Sequence, residues 1–248
     1  MSAIVSLTHY SYLLCSAAAL LSVIYFITQL PALKPGYRQL AVMNIVICGF
    51  STLLHFFYFS SMSSNPDTAA ALASINGHPL ELRYAYWLIC TVLLVSMFPL
   101  LIGLEKIGAR FLVQIASADA VMILCGFFGE RSIQAAGEMT QTGILLFLAG
   151  CVAWFYMLAT IFLALRRLPS RELTTPQRDT LAYMFFFVLL GWSIYPLGYF
   201  NTSFFDAAAG TILREFTFNL GDIVNKIIWG IMVVTAARKV SDLERANA

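Results

Sequence analysis

Seven stretches of this chain are long and apolar enough to cross a bilayer, roughly residues 8–30, 38–62, 80–104, 109–128, 141–165, 179–204 and 213–238. One crossing by a helix needs about 20 mostly apolar residues. In lipid, every backbone N–H and C=O must find its partner inside the segment, so runs of this kind are helices. The expected fold is therefore an all-α bundle of seven transmembrane helices, a single membrane domain spanning residues 1–248. Composition agrees. The chain is 60% hydrophobic and 11% charged, where a soluble domain carries about 25% charged residues. The charges also keep out of the apolar runs.

The breaks between the runs carry turn residues. Pro31, Lys34, Pro35 and Gly36 close the first run, and Arg166-Arg167-Leu168-Pro169-Ser170 ends the fifth. Asn65-Pro66-Asp67 and Gly77-His78-Pro79 bracket a longer loop after the second. Thr175-Pro176 looks like a helix start, with proline at the first helical position. The N-terminus lacks a basic stretch followed by a small-residue cleavage site, so the first run reads as the first span and not as a removed signal. Loop lysines and arginines set the orientation. Eleven fall on one side: Lys34, Arg38, Lys106, Arg110, Arg166, Arg167, Arg171, Arg178, Arg238, Lys239 and Arg245. The other side has Arg131 and Arg214, with Arg83 near the start of span three. This places the N-terminus outside and the C-terminus in the cytoplasm of a multi-pass cell-membrane protein.

Several function classes fall away. No basic tract suits nucleic acid, and the net charge of +2 says little about partners. Cys15, Cys48, Cys90, Cys125 and Cys151 all sit in apolar runs without CxxC spacing, and read as buried free thiols. There is no Gly-rich phosphate loop, zinc-ligand spacing or catalytic triad, so neither an enzyme nor a metal site is expected.

One polar pair inside an apolar run stands out. Lys226 follows Asp222 by four residues, one helical turn, so amine and carboxylate share a face. A lysine at membrane depth is costly and marks a functional site by default. Two readings are open: an inert ion pair, or a lysine used as a Schiff base with the aspartate as counterion.

Further strings bear on the choice. Span three carries Leu82-Arg83-Tyr84-Ala85-Tyr86-Trp87-Leu88, and span four ends Gly126-Phe127-Phe128-Gly129-Glu130. Span five has Gly150-Cys151-Val152-Ala153-Trp154-Phe155-Tyr156-Met157. Span six has Gly191-Trp192-Ser193-Ile194-Tyr195-Pro196-Leu197-Gly198-Tyr199-Phe200. With a lysine in the seventh span, the chain resembles the microbial (type I) rhodopsins, most of all their proteorhodopsin branch, over nearly its whole length. The resemblance implies all-trans retinal bound covalently to Lys226, with Asp222 as counterion and Asn225 beside it. It also implies a pocket formed by Arg83, Tyr86, Trp87, Cys90, Thr91, Met122, Trp192, Tyr195, Pro196 and Tyr199. A polyene needs a dry slot with flat walls, which aromatic side chains supply. Pro196 lies mid-span, where it frees a carbonyl and kinks the helix.

The third span departs from a pump. Arg83, Tyr86, Cys90 and Met97 lie on one helical stripe. In a proton-pumping relative the Tyr86 position is the aspartate that accepts the Schiff-base proton. The Met97 position is usually the acid that resupplies it, and the Cys90 position is usually threonine. Tyrosine, with an ordinary pKa of ~10 against ~3.9 for aspartate, is a poor acceptor at neutral pH. Methionine carries no proton. Asp222 is then the obvious counterion, shared with Arg83. A Schiff base with one carboxylate partner is expected to lose its proton more readily than one with two.

The resemblance also implies that His55 contacts the missing aspartate's position, where a His55–Tyr86 hydrogen bond replaces the lost pair and a neutral imidazole can receive a proton. By the same resemblance, Thr91 and Asp119 lie on adjacent spans beside the retinal as a hydroxyl–carboxyl pair that would bridge spans three and four, with Met122 one turn beyond Asp119. The bridge is read equally as structural glue or as a gate. Phe147 falls where some relatives keep a glycine that admits a carotenoid antenna, so no antenna is expected. Glu130 and Arg131 read as a solvated helix end.

The functional expectation is a retinal photoreceptor or light switch that does not pump, acting on a separate transducer protein because the loops and the tail Ser241–Ala248 are short. The alternative is a light-driven ion transporter: an unusual proton pump, an anion pump or a channel. The partners expected are the bilayer, retinal and further copies of the chain in a homo-oligomer.

Overall fold

The computed structural model describes residues 3–64, 67–136, 139–197 and 207–247. Seven helices are long and apolar enough to cross a membrane: Ala3–Ala32, Pro35–Ser63, Leu80–Ile102, Ala109–Ile133, Gln141–Arg167, Thr175–Leu197 and Ala209–Ala246. These agree with the seven apolar runs, and they are numbered here as spans one to seven. The part of span six expected beyond residue 197, with Tyr199, lies outside the described residues, as do Asn65 and Pro66.

Large apolar side chains cover the outer surface. Leu21, Leu53 and Val152 are each about two-thirds exposed. A water-soluble monomer rarely exposes contiguous apolar surface on this scale, whereas a bundle in lipid requires it. The protein is a multi-pass membrane protein. Span three is the most enclosed, with the seventh next, and the seventh carries more buried polar side chains than any other span.

Helix ends follow local chemistry. Thr174 caps span six in a reciprocal box with Gln177, and Thr140 caps span five through the Gly143 amide. The segment expected as a plain loop after span two contains a helix, Thr68–Asn76, whose N-cap Asp67 accepts from the Ala70 amide at 2.8 Å. Its alanine-rich sequence has high helix propensity, and Ala71 and Ile75 are buried against the bundle.

Two spans leave α-helical geometry at the same depth. Span six is π-helical over Phe187–Gly191 and span seven over Ile223–Ile228. The wide turns face each other, and the Asn225 side-chain amide donates to the Gly191 carbonyl at 2.9 Å. A β-carbon on Gly191 would lie 2.2 Å from Asn225 Oδ1, so only glycine permits this approach. The Val188 carbonyl accepts from Trp154 Nε1 at 3.1 Å. Such turns are frequent at functional sites, and here one of them carries Lys226.

A buried lysine–aspartate pair beside an aromatic slot

Lys226 and Asp222 are almost wholly buried and form a direct ion pair within span seven. The Asp222 carboxylate is heavily contacted. Tyr195 donates to Oδ1 at 2.9 Å, Tyr86 donates to Oδ2 at 3.0 Å, and His55 Nε2 lies 3.6 Å from Oδ2. The amine sits 4.4 Å from the Tyr86 ring centroid and 5.9 Å from that of Tyr195. Two aromatic faces thus add to the single carboxylate in holding the positive charge.

His55 lies beside Tyr86 as expected, but without the expected hydrogen bond. Its ring meets Tyr86 edge-on at 6.3 Å between centroids, and no His55–Tyr86 hydrogen bond forms among the described residues. Both side chains are directed instead to the same Asp222 oxygen. The other ring nitrogen, Nδ1, contacts the Ser51 carbonyl at 2.8 Å and the Ser51 hydroxyl at 3.2 Å.

Along span three, Cys90 is fully buried one turn from Tyr86. Further along, Met97 Sδ accepts from Asn44 Nδ2 at 3.5 Å and from Trp229 Nε1 at 3.4 Å. Trp229 in turn packs edge-on against Phe98 and Phe187. On this side of Lys226, Met97 sits in a dry plug of amide, thioether and indole.

Next to the pair lies an apolar slot. Trp87, Trp192, Tyr195 and Phe218 form its walls, with Met122, Phe147, Trp154 and Pro196 around them. Tyr195 stands between the two, lining the slot on one side and facing the Lys226 amine at 5.9 Å on the other. Gly126 and Gly150 also line it, and a β-carbon on Gly126 would lie 3.2 Å from the Tyr84 ring. Flat walls and an almost wholly apolar lining, with a buried lysine behind Tyr195, fit a polyene aldehyde. Thr91, on the slot's edge, donates to Asp119 Oδ2 at 2.7 Å, the expected bridge between spans three and four. Asp119 is fully buried, and its Oδ1 has no hydrogen-bond partner among the described residues. Cys125 and Cys151 are only half-buried, whereas Cys15, Cys48 and Cys90 are buried, and all five thiols are free.

Arg83 is where the structure corrects the sequence reading. It does not share Asp222. Its Nη1 donates to Glu215 Oε1 at 2.8 Å and its Nη2 pairs with Oε2. Tyr12 also donates to Glu215, and Arg214 bridges Glu215 and Glu130, each at 3.2 Å. Glu130 is therefore no solvated helix end. It is buried, and it accepts from Tyr84 at 2.8 Å. Arg131 does fit that description, exposed and paired with Glu81 at 3.1 Å. The sequence did contain a signal for Glu215. It precedes Asp222 by seven residues, two helical turns, and so lies on the same stripe as Asp222 and Lys226.

Seven membrane-crossing helices and a buried lysine–carboxylate pair beside an aromatic slot, taken with the family and relatives that follow, define a light-absorbing protein of the retinal type. Residues 6–240 match the model of the bacteriorhodopsin-like proteins, and the chain belongs to that family. It is 24% identical over 235 residues to the green-light absorbing proteorhodopsin of Gamma-proteobacterium EBAC31A08, covering 94% of this chain and 88% of that protein. The crystal structure of Exiguobacterium sibiricum rhodopsin is 32% identical, with a TM-score of 0.80 over 95% of this chain and 98% of that one. Xanthorhodopsin, described as a light-driven ion pump with dual chromophore, shares the fold at 19% identity, with a TM-score of 0.83 over 98% of this chain and 97% of that one.

Proposed function

We propose that this protein is a non-pumping photoreceptor or light switch in which all-trans retinal is attached to Lys226 and Asp222 is its counterion. The retinal supplies light absorption and isomerisation. The chain's residues supply the rest. Trp87, Trp192 and Tyr195 hold the polyene flat and exclude water. Asp222 holds the positive charge at the Lys226 nitrogen, and Asn225 fixes the wide turn that presents it.

The observation that carries this reading is the direction of the Tyr86 hydrogen bond. The phenol donates to Asp222, so its oxygen keeps its own proton and offers no empty place for another. Outward pumping needs an acceptor on one side of the nitrogen and resupply on the other. The Met97 plug has no group that exchanges a proton near neutral pH. We orient the chain with its Lys- and Arg-rich loops in the cytoplasm, where a separate transducer protein would read the change.

One contact favours the alternative, a light-driven ion transporter. His55 lies 3.6 Å from Asp222, so a proton delivered to Asp222 has a neutral imidazole next to it. Proteoliposomes loaded with all-trans retinal separate the two readings. The photoreceptor forms a visible band and, under continuous light, moves no protons that a protonophore abolishes. A sustained, protonophore-sensitive pH change would sink the photoreceptor reading in favour of the transporter. Failure to form a band in wild type, or an unchanged band in Lys226→Ala, would remove both.

A further inference from the structure

At the end of the bundle opposite the Arg83–Glu215 cluster, spans four and five border a half-open cavity of about 540 Å³, lined by polar and apolar side chains in similar measure. We propose that it binds the phosphate headgroup of an anionic phospholipid. Lys106, Arg110 and Arg167 line it, against the single carboxylate of Glu172. Three cations facing one anion leave a net positive basin, which suits a phosphodiester without a cation of its own better than a zwitterionic choline headgroup. Lys106 is fixed by donating to the Glu172 carbonyl at 2.9 Å. Among the described residues, no hydrogen bond or ion pair engages Arg110 or Arg167. The arginines at the opposite end, Arg83 and Arg214, are fully paired. Two unpaired guanidiniums facing one cavity are a fork for phosphate oxygens.

The rest of the cavity is matched to a lipid and not to a free ion. One wall is apolar, formed by Phe111, Leu163 and Leu168. Leu163 is half exposed, and Val113, one turn into span four, is 61% exposed. That wall leads from the cations onto the lipid-facing surface, where acyl chains run. Gln114, one turn further into span four than Arg110, adds a neutral amide that can donate to a glycerol ester carbonyl. Span four begins at Ala109, so the positive end of its dipole also faces this end. Basic pockets between transmembrane helices are known to hold anionic headgroups.

Native mass spectrometry of the purified full chain tests this, with phosphatidylglycerol and phosphatidylcholine offered in equal amounts. Wild type is expected to retain phosphatidylglycerol preferentially. Arg110→Gln/Arg167→Gln should weaken that retention roughly thirtyfold, while Arg171→Gln/Arg178→Gln, which removes the same charge at the same end, keeps it. Thermal unfolding of both double variants checks that they are folded, and the single variants Arg110→Lys and Arg167→Lys, which keep the charge but lose the fork, replace any pair that is not. Equal loss in both pairs would mean unspecific attraction and overturn the site. Displacement by millimolar inorganic phosphate would make it a free-phosphate site, and absence of any lipid preference would leave the cavity to an acidic protein partner; either result overturns the proposal.

Discussion

At the scale of single residues, the site is two charge systems kept apart. Lys226 is answered by Asp222, and Arg83 with Arg214 by Glu215 with Glu130. Removing one partner from a buried pair leaves an uncompensated charge, at a cost of about 3 kcal/mol. Glu215→Gln is therefore expected to lower thermal stability by that order. It also frees Arg83 to turn toward Asp222, weakening the hold of the carboxylate on the Lys226 nitrogen. The visible band of the retinal-loaded variant should then give way to a near-ultraviolet band at lower pH than in wild type. An unchanged titration with reduced stability would show that the two systems are independent. Lys226 and Asp222 were legible in the sequence because a charge inside an apolar run is conspicuous. Arg83's partner was harder to read: Glu215 shares the stripe of Asp222 and Lys226, but it stands near the start of its run, where a charged residue looks like an ordinary helix end. Which acid meets which base across the bundle is decided by packing between spans 130 residues apart, and no local pattern carries it.

At the scale of elements, the seven crossings were readable because lipid allows few structures and each needs a run of fixed length. The wide turns in spans six and seven were not. A π turn changes neither composition nor hydropathy, and the only local trace is the pair Gly191 and Asn225. Gly191→Ala would drive a β-carbon into Asn225 Oδ1, and the Asn225–Gly191 hydrogen bond would break. The buried amide would then lack a partner, which costs about 1–3 kcal/mol. Thermal unfolding should show a loss in that range, and Asn225→Ala should show a loss of similar size. If Gly191→Ala leaves stability unchanged, the close approach is not needed. The helix after span two was also hidden, between turn signals that suggested only a loop.

At the scale of the whole molecule, the end that carries the Arg83–Glu215 cluster also holds His78, outside the spans, stacked on Tyr58 and hydrogen-bonded to Ser61 at 2.6 Å. Burial lowers its pKa from 6.5 to about 4. The folded protein thus binds fewer protons here than the unfolded chain. This contribution to stability is complete above pH 6.5 and is lost as the pH falls toward 4. Unfolding temperatures measured across that window should decline with falling pH in wild type and decline less in His78→Phe. Equal slopes would assign the acid sensitivity to other groups. The two wide turns have a consequence for the molecule as a mechanism. Each holds one residue more than an α-helix of the same height, so the chain carries slack at the depth of Lys226. Taking up that slack would turn one half of a span against the other by about 100° and slide it by about 1.5 Å. Deleting Val224 alone should therefore abolish the pigment, although no residue proposed to touch the retinal is removed. A band that survives the deletion would show that the site tolerates either register. The same surplus residue gives a bundle held in lipid a way to rotate part of a span without lifting it out of the membrane.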